Sequence, residues 1–471
     1  MRHVNLYYGL VVLILISGCA VGPDFKRPET ELPEAFASHP DWKIAEPRDN
    51  EKKDNWWEIF DDQELNRLIE KATTDSPRVN AALARLDQAA AVARVDRASL
   101  LPDLAVNASA TRSRTARDLS RTGNASINEL YSLPLDLSYE IDLWGRVRRS
   151  VEAGGAAAEA SAADYANLLL SLQAEVARNY FALRTLDQEI ALLEKNLELR
   201  RESLRLVQSR FDLGATDRLE LTRAETDLAI TEAETIGLQR SRGELEHALA
   251  ILLGELPGSF TLAASTGPIE TPKIPAAMPS TLLERRPDIA AAERRMAAAN
   301  ARIGIAKAAF FPTVTLFGSA GYASTTLDDL TVWDNRTWAI GPSIHLPIFE
   351  GGRNFANLAL SKAAYKEQLA NYREQVLNAL GEVEDSLLAL YVLDAQQLAQ
   401  QRAIDSAAKS VELSEKRYRV GSVGYQEVLD TQRVALQTKR SGVSLNNLRI
   451  QATISLVKAL GGGWQGNQEE P

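Results

Sequence analysis

Cysteine, histidine and methionine are nearly missing from this chain: 471 residues hold one Cys, four His and three Met. A single cysteine excludes an intramolecular disulfide framework and any thiolate cluster. His3, His39, His247 and His345 lie far apart and share no ligand spacing, so metal catalysis has little to work with. Positive charge is also short, with 53 Lys+Arg against 63 Asp+Glu and a formal net charge of −10. That balance argues against a nucleic-acid binder, which needs clustered Lys and Arg. No nucleophile–base constellation appears, which makes an enzyme the weakest reading. What is present is ordinary for a folded protein: 45% hydrophobic residues exclude disorder and collagen-like structure. The length allows about three domains or one elongated assembly.

The lone cysteine has a special address. Arg2 supplies a short positive start, and Val4–Ile16 is mostly apolar but too short for a stable membrane helix. Ile16-Ser17-Gly18-Cys19 follows. This reads as a signal peptide over 1–18 ending in a lipobox, with Cys19 as the acylated first residue of the mature chain. The bland alternative is an ordinary buried cysteine. Ala20-Val21, with no Asp after the cysteine, predicts release to the outer membrane.

An internal repeat organises the remainder. Arg210–Leu221 (RFDLGATDRLEL) lines up with Arg417–Val428 (RYRVGSVGYQEV) at an offset of 207, which also pairs Gly254 with Gly461 and Asp187 with Asp394. Upstream, an offset of 210 pairs Pro77 with Pro287, Arg85 with Arg295 and Pro102 with Pro312. A period this long is a duplicated half, not a solenoid unit.

Each half follows one plan. A helix of about 25 residues runs to Pro102 or Pro312, and two strand-like runs come next. Leu133, Leu135, Leu137, Tyr139, Ile141 and Leu143 alternate with Asp136, Ser138, Glu140 and Asp142. In the second half Trp338, Ile340, Ile344, Leu346 and Ile348 alternate with Ala339, Gly341, Ser343 and His345. The first runs, Leu104–Thr111 and Val314–Tyr322, alternate more weakly. Four strands of about ten residues fit transmembrane β-barrel segments, with loops at Ala116–Asn128 and Leu327–Asn335.

Two long helices and a glycine turn complete each half. Val176, Leu183, Ile190, Leu197, Leu204 and Phe211 recur every seven residues, and Leu186, Leu193 and Val207 fill the position three later. That is coiled-coil spacing. A helix from Arg146 to Leu213 would be about 100 Å long at 1.5 Å per residue. Eleven charged residues between Arg178 and Arg205 keep it out of lipid. Four strands cannot close a barrel, and an open edge is not tolerated in hydrocarbon. Eight strands would leave an interior filled by side chains. A conducting barrel therefore calls for about twelve strands, from three chains.

The motifs CAVGPDFKRPE (Cys19–Glu29), ERRPDIAAAE (Glu284–Glu293), AFFPT (Ala309–Thr313), FEGGR (Phe349–Arg353) and RYRVGS (Arg417–Ser422) together resemble the TolC-like outer membrane factors. The closer resemblance is to the lipoprotein branch serving efflux pumps of the resistance-nodulation-division (RND) class, and it spans about Cys19 to Gly463. The resemblance implies a fold that is mainly α with a transmembrane β-barrel, in a homotrimer with a 12-stranded β-barrel on a 12-helix periplasmic α-barrel. It implies an equatorial part from Trp56–Thr73, Leu256–Arg285 and the C-terminal end. It further implies a passive duct with no cofactor, held in outer membrane lipid and served by a periplasmic adaptor and an inner-membrane RND transporter. On this plan 19–55 is an extended segment and 56–255 the first repeat, with hairpins at about 103–143 and 146–254. An equatorial linker spans 256–286, the second repeat spans 287–463 with hairpins at about 313–349 and 352–461, and 464–471 is a tail.

Two other readings stay open. A duct for secreted proteins resembles this plan, but those relatives usually lack a lipobox, so Cys19 counts against it. A non-conducting periplasmic coiled-coil lipoprotein has the four alternating strands against it. Gly461, Gly463 and Gly466 form a lone GxGxxG that follows a helix, the wrong context for a dinucleotide. Trp144, Phe310, Phe311 and Phe349 read either as an aromatic girdle or as junction packing. Three methionines offer no pathway for copper or silver, and the sequence does not name a cargo.

Gly214 and Gly421 stand where the long helices reverse, as left-handed caps. By resemblance Leu213, Gly214, Ala215, Val420, Gly421 and Ser422 are also the tips that meet the adaptor. Relatives often carry acidic residues in the second turn, where Ser422-Val423-Gly424 has none. The first turn has Asp217, with Glu220 three residues on. These two form either a gate ring of carboxylates or a capping-box-like pair.

Overall fold

The computed structural model describes residues 20–27, 55–119, 123–272 and 286–462. Cys19, the signal peptide, Gly463 and Gly466 lie outside these. The chain divides into two compact units. Met1–Leu32, Arg85–Ala162 and Ala291–Arg373 form the first, and Pro33–Ala84, Ala163–Ala290 and Glu374–Pro471 the second.

The helices follow the repeat closely. α1 (Gln63–Asp75) precedes α2 (Pro77–Ala98), whose counterpart α5 (Pro287–Ala308) is also 22 residues long. α3 (Arg146–Asp212) and α6 (Arg353–Arg419) are 67 residues each, offset by 207. α4 (Arg218–Leu253) and α7 (Tyr425–Ala459) start at the same offset. Proline opens α2 and α5, at the first helical position, where the missing N–H has no intrahelical partner in any case. Among the described residues no helix is long and apolar enough to cross a membrane.

In the first unit β1 (Asp103–Val106), β2 (Ser109–Thr115), β3 (Ser126–Ile141), β4 (Thr313–Ser324) and β5 (Arg336–His345) make one antiparallel sheet. β1 and β2 pair β3 in a single continuous register, so they are one strand line interrupted at Asn107-Ala108. The interruption faces Pro134, which has no N–H to donate but accepts from the Asn107 amide at 3.1 Å. β3 pairs β4, and β4 pairs β5.

Several strand limits differ from the sequence pattern; β3, for one, ends at Ile141, short of Leu143. β3 starts at Ser126, inside the stretch that reads as a loop, because Glu129 breaks the apolar alternation there while the backbone ladder continues. β2 likewise extends to Thr115. β5 ends at His345 although Leu346 and Ile348 continue the alternation, since Pro347 cannot donate to the ladder.

The register sorts side chains by face. Leu104, Leu137, Leu316 and Ile340 share one face; Asp136, Ser138, Thr315, Ser319 and Ser343 share the other. At the helical end Trp144 stacks on Phe311 at 4.7 Å and donates from Nε1 to the Pro312 carbonyl at 2.8 Å. Ala20–Arg27 runs along this unit as a strap. The Val21 amide donates to the Trp144 carbonyl at 2.9 Å, Asp24 pairs with Arg149 at 2.7 Å, and Asn300 donates to the Pro23 carbonyl. Gly22 (φ +116°) sits where a Cβ would lie 2.6 Å from the Gly304 Cα, so only a bare backbone seats there.

The second unit holds the largest apolar core. Leu65, Leu68 and Ile69 of α1 pack with Leu172, Val176 and Leu183 of α3, Leu249 and Leu253 of α4, and Ile450 and Ile454 of α7. Asp62 caps α1 by accepting from the Glu64 and Leu65 amides at 3.0 Å. The non-helical stretch after α4 is pinned by side chains: the Leu262 amide donates to Glu246, and the Ser265 amide to Asp187. Arg286 is buried between three elements, paired with Asp288 at 2.7 Å and Glu382 at 2.8 Å while donating to the Ala459 carbonyl. That gives the Arg286-Pro287-Asp288 motif a structural role.

Candidate functional site at the helical turns

The two long turns are built alike. In the first, the Ala215 amide donates to the Arg210 carbonyl at 2.8 Å; in the second, the Ser422 amide donates to the Arg417 carbonyl at 2.9 Å. Gly214 (φ +72°) and Gly421 (φ +73°) take the left-handed conformation that this closure demands. Leu213 and Val420 are highly exposed.

Behind the turns one apolar cluster joins both hairpins. Val207, Leu221 and Ala224 from the first meet Tyr418, Tyr425, Val428 and Leu429 from the second. Arg210 lies over the Tyr418 ring at 4.7 Å and donates to its hydroxyl at 2.6 Å. Burial pushes the Tyr418 phenol up, with Arg210 pulling the other way; burial also raises Tyr425.

Next to the cluster sits a charge group invisible in the turn motifs. Asp227 of α4 is 4% exposed and meets Arg200 of α3 (3% exposed) at 2.7 Å and Arg433 of α7 at 2.6 Å. Gln432 accepts from Arg200 at 3.0 Å and donates to Glu415 at 2.9 Å. Sequence reasoning missed all of these residues. A signal was available: Leu221, Ala224, Asp227, Thr231 and Thr235 form the buried stripe of α4 at helical spacing, so Asp227 is a carboxylate on a core face.

Asp217 and Glu220 are placed plainly. Asp217 is the N-cap of α4, accepting from the Glu220 amide at 2.9 Å, and Thr216 bonds the Glu220 carboxylate. The equivalent position in the second turn is Gly424, which caps α7 without a side-chain bond. The second hairpin has its own carboxylates one step further along. Glu427 pairs with Arg417 at 2.9 Å, and Asp430 accepts from Gln426. Both lie beyond the Ser422-Val423-Gly424 turn.

Comparison with known proteins agrees with this architecture. The family described as "Outer membrane efflux protein" matches residues 68–255 and 278–462. The toluene efflux pump outer membrane protein TtgF of Pseudomonas putida is 32% identical, over 99% of this chain and 98% of that protein. The cation efflux system protein CusC of Escherichia coli O6:H1 is 30% identical, over 96% of this chain and 98% of its own. Among solved structures, the outer-membrane channel OprN superposes with a TM-score of 0.86 at 32% identity, covering 95% of this chain and all of that one.

Proposed function

Because this chain belongs to the outer membrane efflux protein family, we propose that it works as a homotrimeric exit duct, a 12-stranded β-barrel on a 12-helix α-barrel. It is an outer membrane efflux channel, of a family of ducts and not of enzymes. The observation that carries the trimer is the sheet. It has four strand lines, an apolar face, and edge lines β1/β2 and β5 that pair on one side only within the described chain. Hydrocarbon does not tolerate such edges, and three copies supply enough strands for an open lumen. A periplasmic adaptor meets the turns at Leu213–Ala215 and Val420–Ser422, and an inner-membrane RND transporter supplies the energy. The cargo is a small toxic compound; relatives carry names for toluene, cation and pyoverdine export.

Native mass spectrometry in detergent and planar-bilayer recording test the assembly. A trimer with low resting conductance is expected, and a monomer or dimer without conductance overturns it. Susceptibility of a deletion strain to a compound panel identifies the cargo.

Cys19 carries the lipid. Mass spectrometry of the mature N-terminus should find diacylated, N-acylated Cys19, and Cys19→Ser should lose that mass. A free Cys19, or a different start, refutes it. The trimer survives the change, since strand pairing and helix packing do not need the acyl chains.

Asp217, helped by Glu220, forms a carboxylate ring when three turns meet. Its Oδ1 takes the capping bond, and the charge remains available to a cation. Asp217→Asn keeps the cap, because Asn caps as well as Asp, but removes the charge. Cation selectivity should fall with no change in helix stability. Unchanged selectivity and resting conductance would leave capping as the only role.

A further inference from the structure

The apolar face of the sheet changes chemistry at the end away from the helices. Tyr322, Trp338 and Tyr131 form an aromatic tier on that face, beyond which Ile127 is the one large apolar side chain left on these strands. Arg336 stands in register with Tyr322, and Arg112 and Arg114 follow on β2, opposite Glu129 and Ile127. On these strands that face thus carries three arginines against one carboxylate, in a chain of net charge −10. Glu129 meets Arg112 at 3.1 Å, yet the Arg112 side chain stays 72% exposed. Arg336 lies over the Trp333 ring at 4.3 Å. Among the described residues the Arg114 side chain has no hydrogen-bond or ion-pair partner, while its backbone stays in the ladder with β3. The carboxylates of Asp328, Asp329 and Asp334 belong to the connection between β4 and β5, off the strands.

Position restricts what this tier can meet. An arginine on the lipid side of a membrane strand costs about 2–4 kcal/mol at the midplane and almost nothing at the interface. Arg336 stands level with the aromatic tier, of the kind that sits among headgroups, and Arg112 and Arg114 stand beyond it. A guanidinium is the side chain best matched to phosphate, which it holds through two parallel N–H donors.

We propose that Arg112 and Arg114 on one edge line of the sheet, and Arg336 on the other edge line, form outward-facing binding positions for the phosphate groups of anionic lipid in the outer leaflet, a phosphorylated glycolipid. The site rests on the barrel reading above, which puts this end of the sheet at the external surface. The occupant is membrane lipid and not free phosphate, because the arginines continue the same face whose apolar levels contact acyl chains.

The full-length trimer in detergent tests the site, with bisphosphorylated lipid A and its dephosphorylated form as probes and retention read by native mass spectrometry. The variant R112Q/R114Q/R336Q should hold the bisphosphorylated form about tenfold more weakly than the unaltered protein, the worth of one charge-assisted hydrogen bond. Both proteins should hold the dephosphorylated form alike, and inorganic phosphate at equal concentration should not displace the lipid. The single change Arg114→Glu removes a side chain with no partner among the described residues, so it tests the site without disturbing folding, and it should weaken retention too. Equal retention by all variants, or no preference for the phosphorylated lipid, overturns the proposal. Bilayer conductance of the same preparations separates the two readings. Normal insertion without lipid preference removes only the arginine site, whereas an unaltered protein that never inserts removes the barrel and the site together.

Discussion

Asp227→Ala should lower stability by about 3–5 kcal/mol, because it strands a buried guanidinium. Arg200 and Asp227 are both almost fully buried, and the carboxylate is the anion that Arg200 faces. Arg433 is half exposed and loses little, since water takes over its solvation. Chemical denaturation in detergent, followed by helical circular dichroism, reads the effect. Arg240→Ala supplies the contrast: its pair with Glu244 is 75% and 60% exposed and lies one helical turn apart. That change should stay within about 0.5 kcal/mol. The double variant D227L/R200M should recover much of the loss, as apolar replacements of buried ion pairs commonly do. If Asp227→Ala is as mild as Arg240→Ala, the charge group is not what joins α3, α4 and α7 here.

Gly321→Ala should impair barrel formation while Gly318→Ala leaves it intact. The two glycines are three residues apart on β4, on opposite faces, and differ in what a methyl would meet. At Gly321 a Cβ would lie 2.1 Å from the Leu133 carbonyl oxygen and 2.6 Å from the Pro134 Cα, backbone atoms that cannot swing away. At Gly318 it would meet only the Leu137 Cβ, at an ordinary 3.7 Å. Overpacking of this kind costs about 1–3 kcal/mol and often more when backbone must move. Here the displaced backbone belongs to the β3–β4 ladder that joins the two halves of the repeat. The fraction of protein that folds into liposomes as a heat-modifiable trimer measures it. Equal yields for the two variants would mean that the approach at Pro134 relaxes freely.

Much of the frame was legible because it is periodic. Heptads from Val176 to Phe211 announced α3, and glycines at equal offsets announced both turns. Alternation from Leu133 to Ile141 announced the core of β3 and even which residues share its apolar face. The pattern failed where periodicity and backbone pairing part company. Glu129 interrupts the apolar series without interrupting the ladder, while Leu346 and Ile348 continue the series past a proline that ends it.

The site was harder to see than the frame. Asp217 was legible as a cap or a ring member because capping is local, decided within three residues. The link from Asp227 to Arg433 joins positions 206 residues apart, and the link from Arg210 to Tyr418 spans 208. No local spacing encodes either.

By itself, then, the sequence determined the repeat, the kinds of element, their order, the turns and the amphipathic face of the sheet, all of which follow from interactions between near neighbours along the chain. Only the tertiary structure decided that β3 lies beside β4, that Gly321 must be bare against Pro134, and that Asp227 is shared by two arginines from different helices. Those outcomes depend on which distant surfaces meet, and burial then sets their energy by removing the water that would otherwise make each charge or methyl group inconsequential.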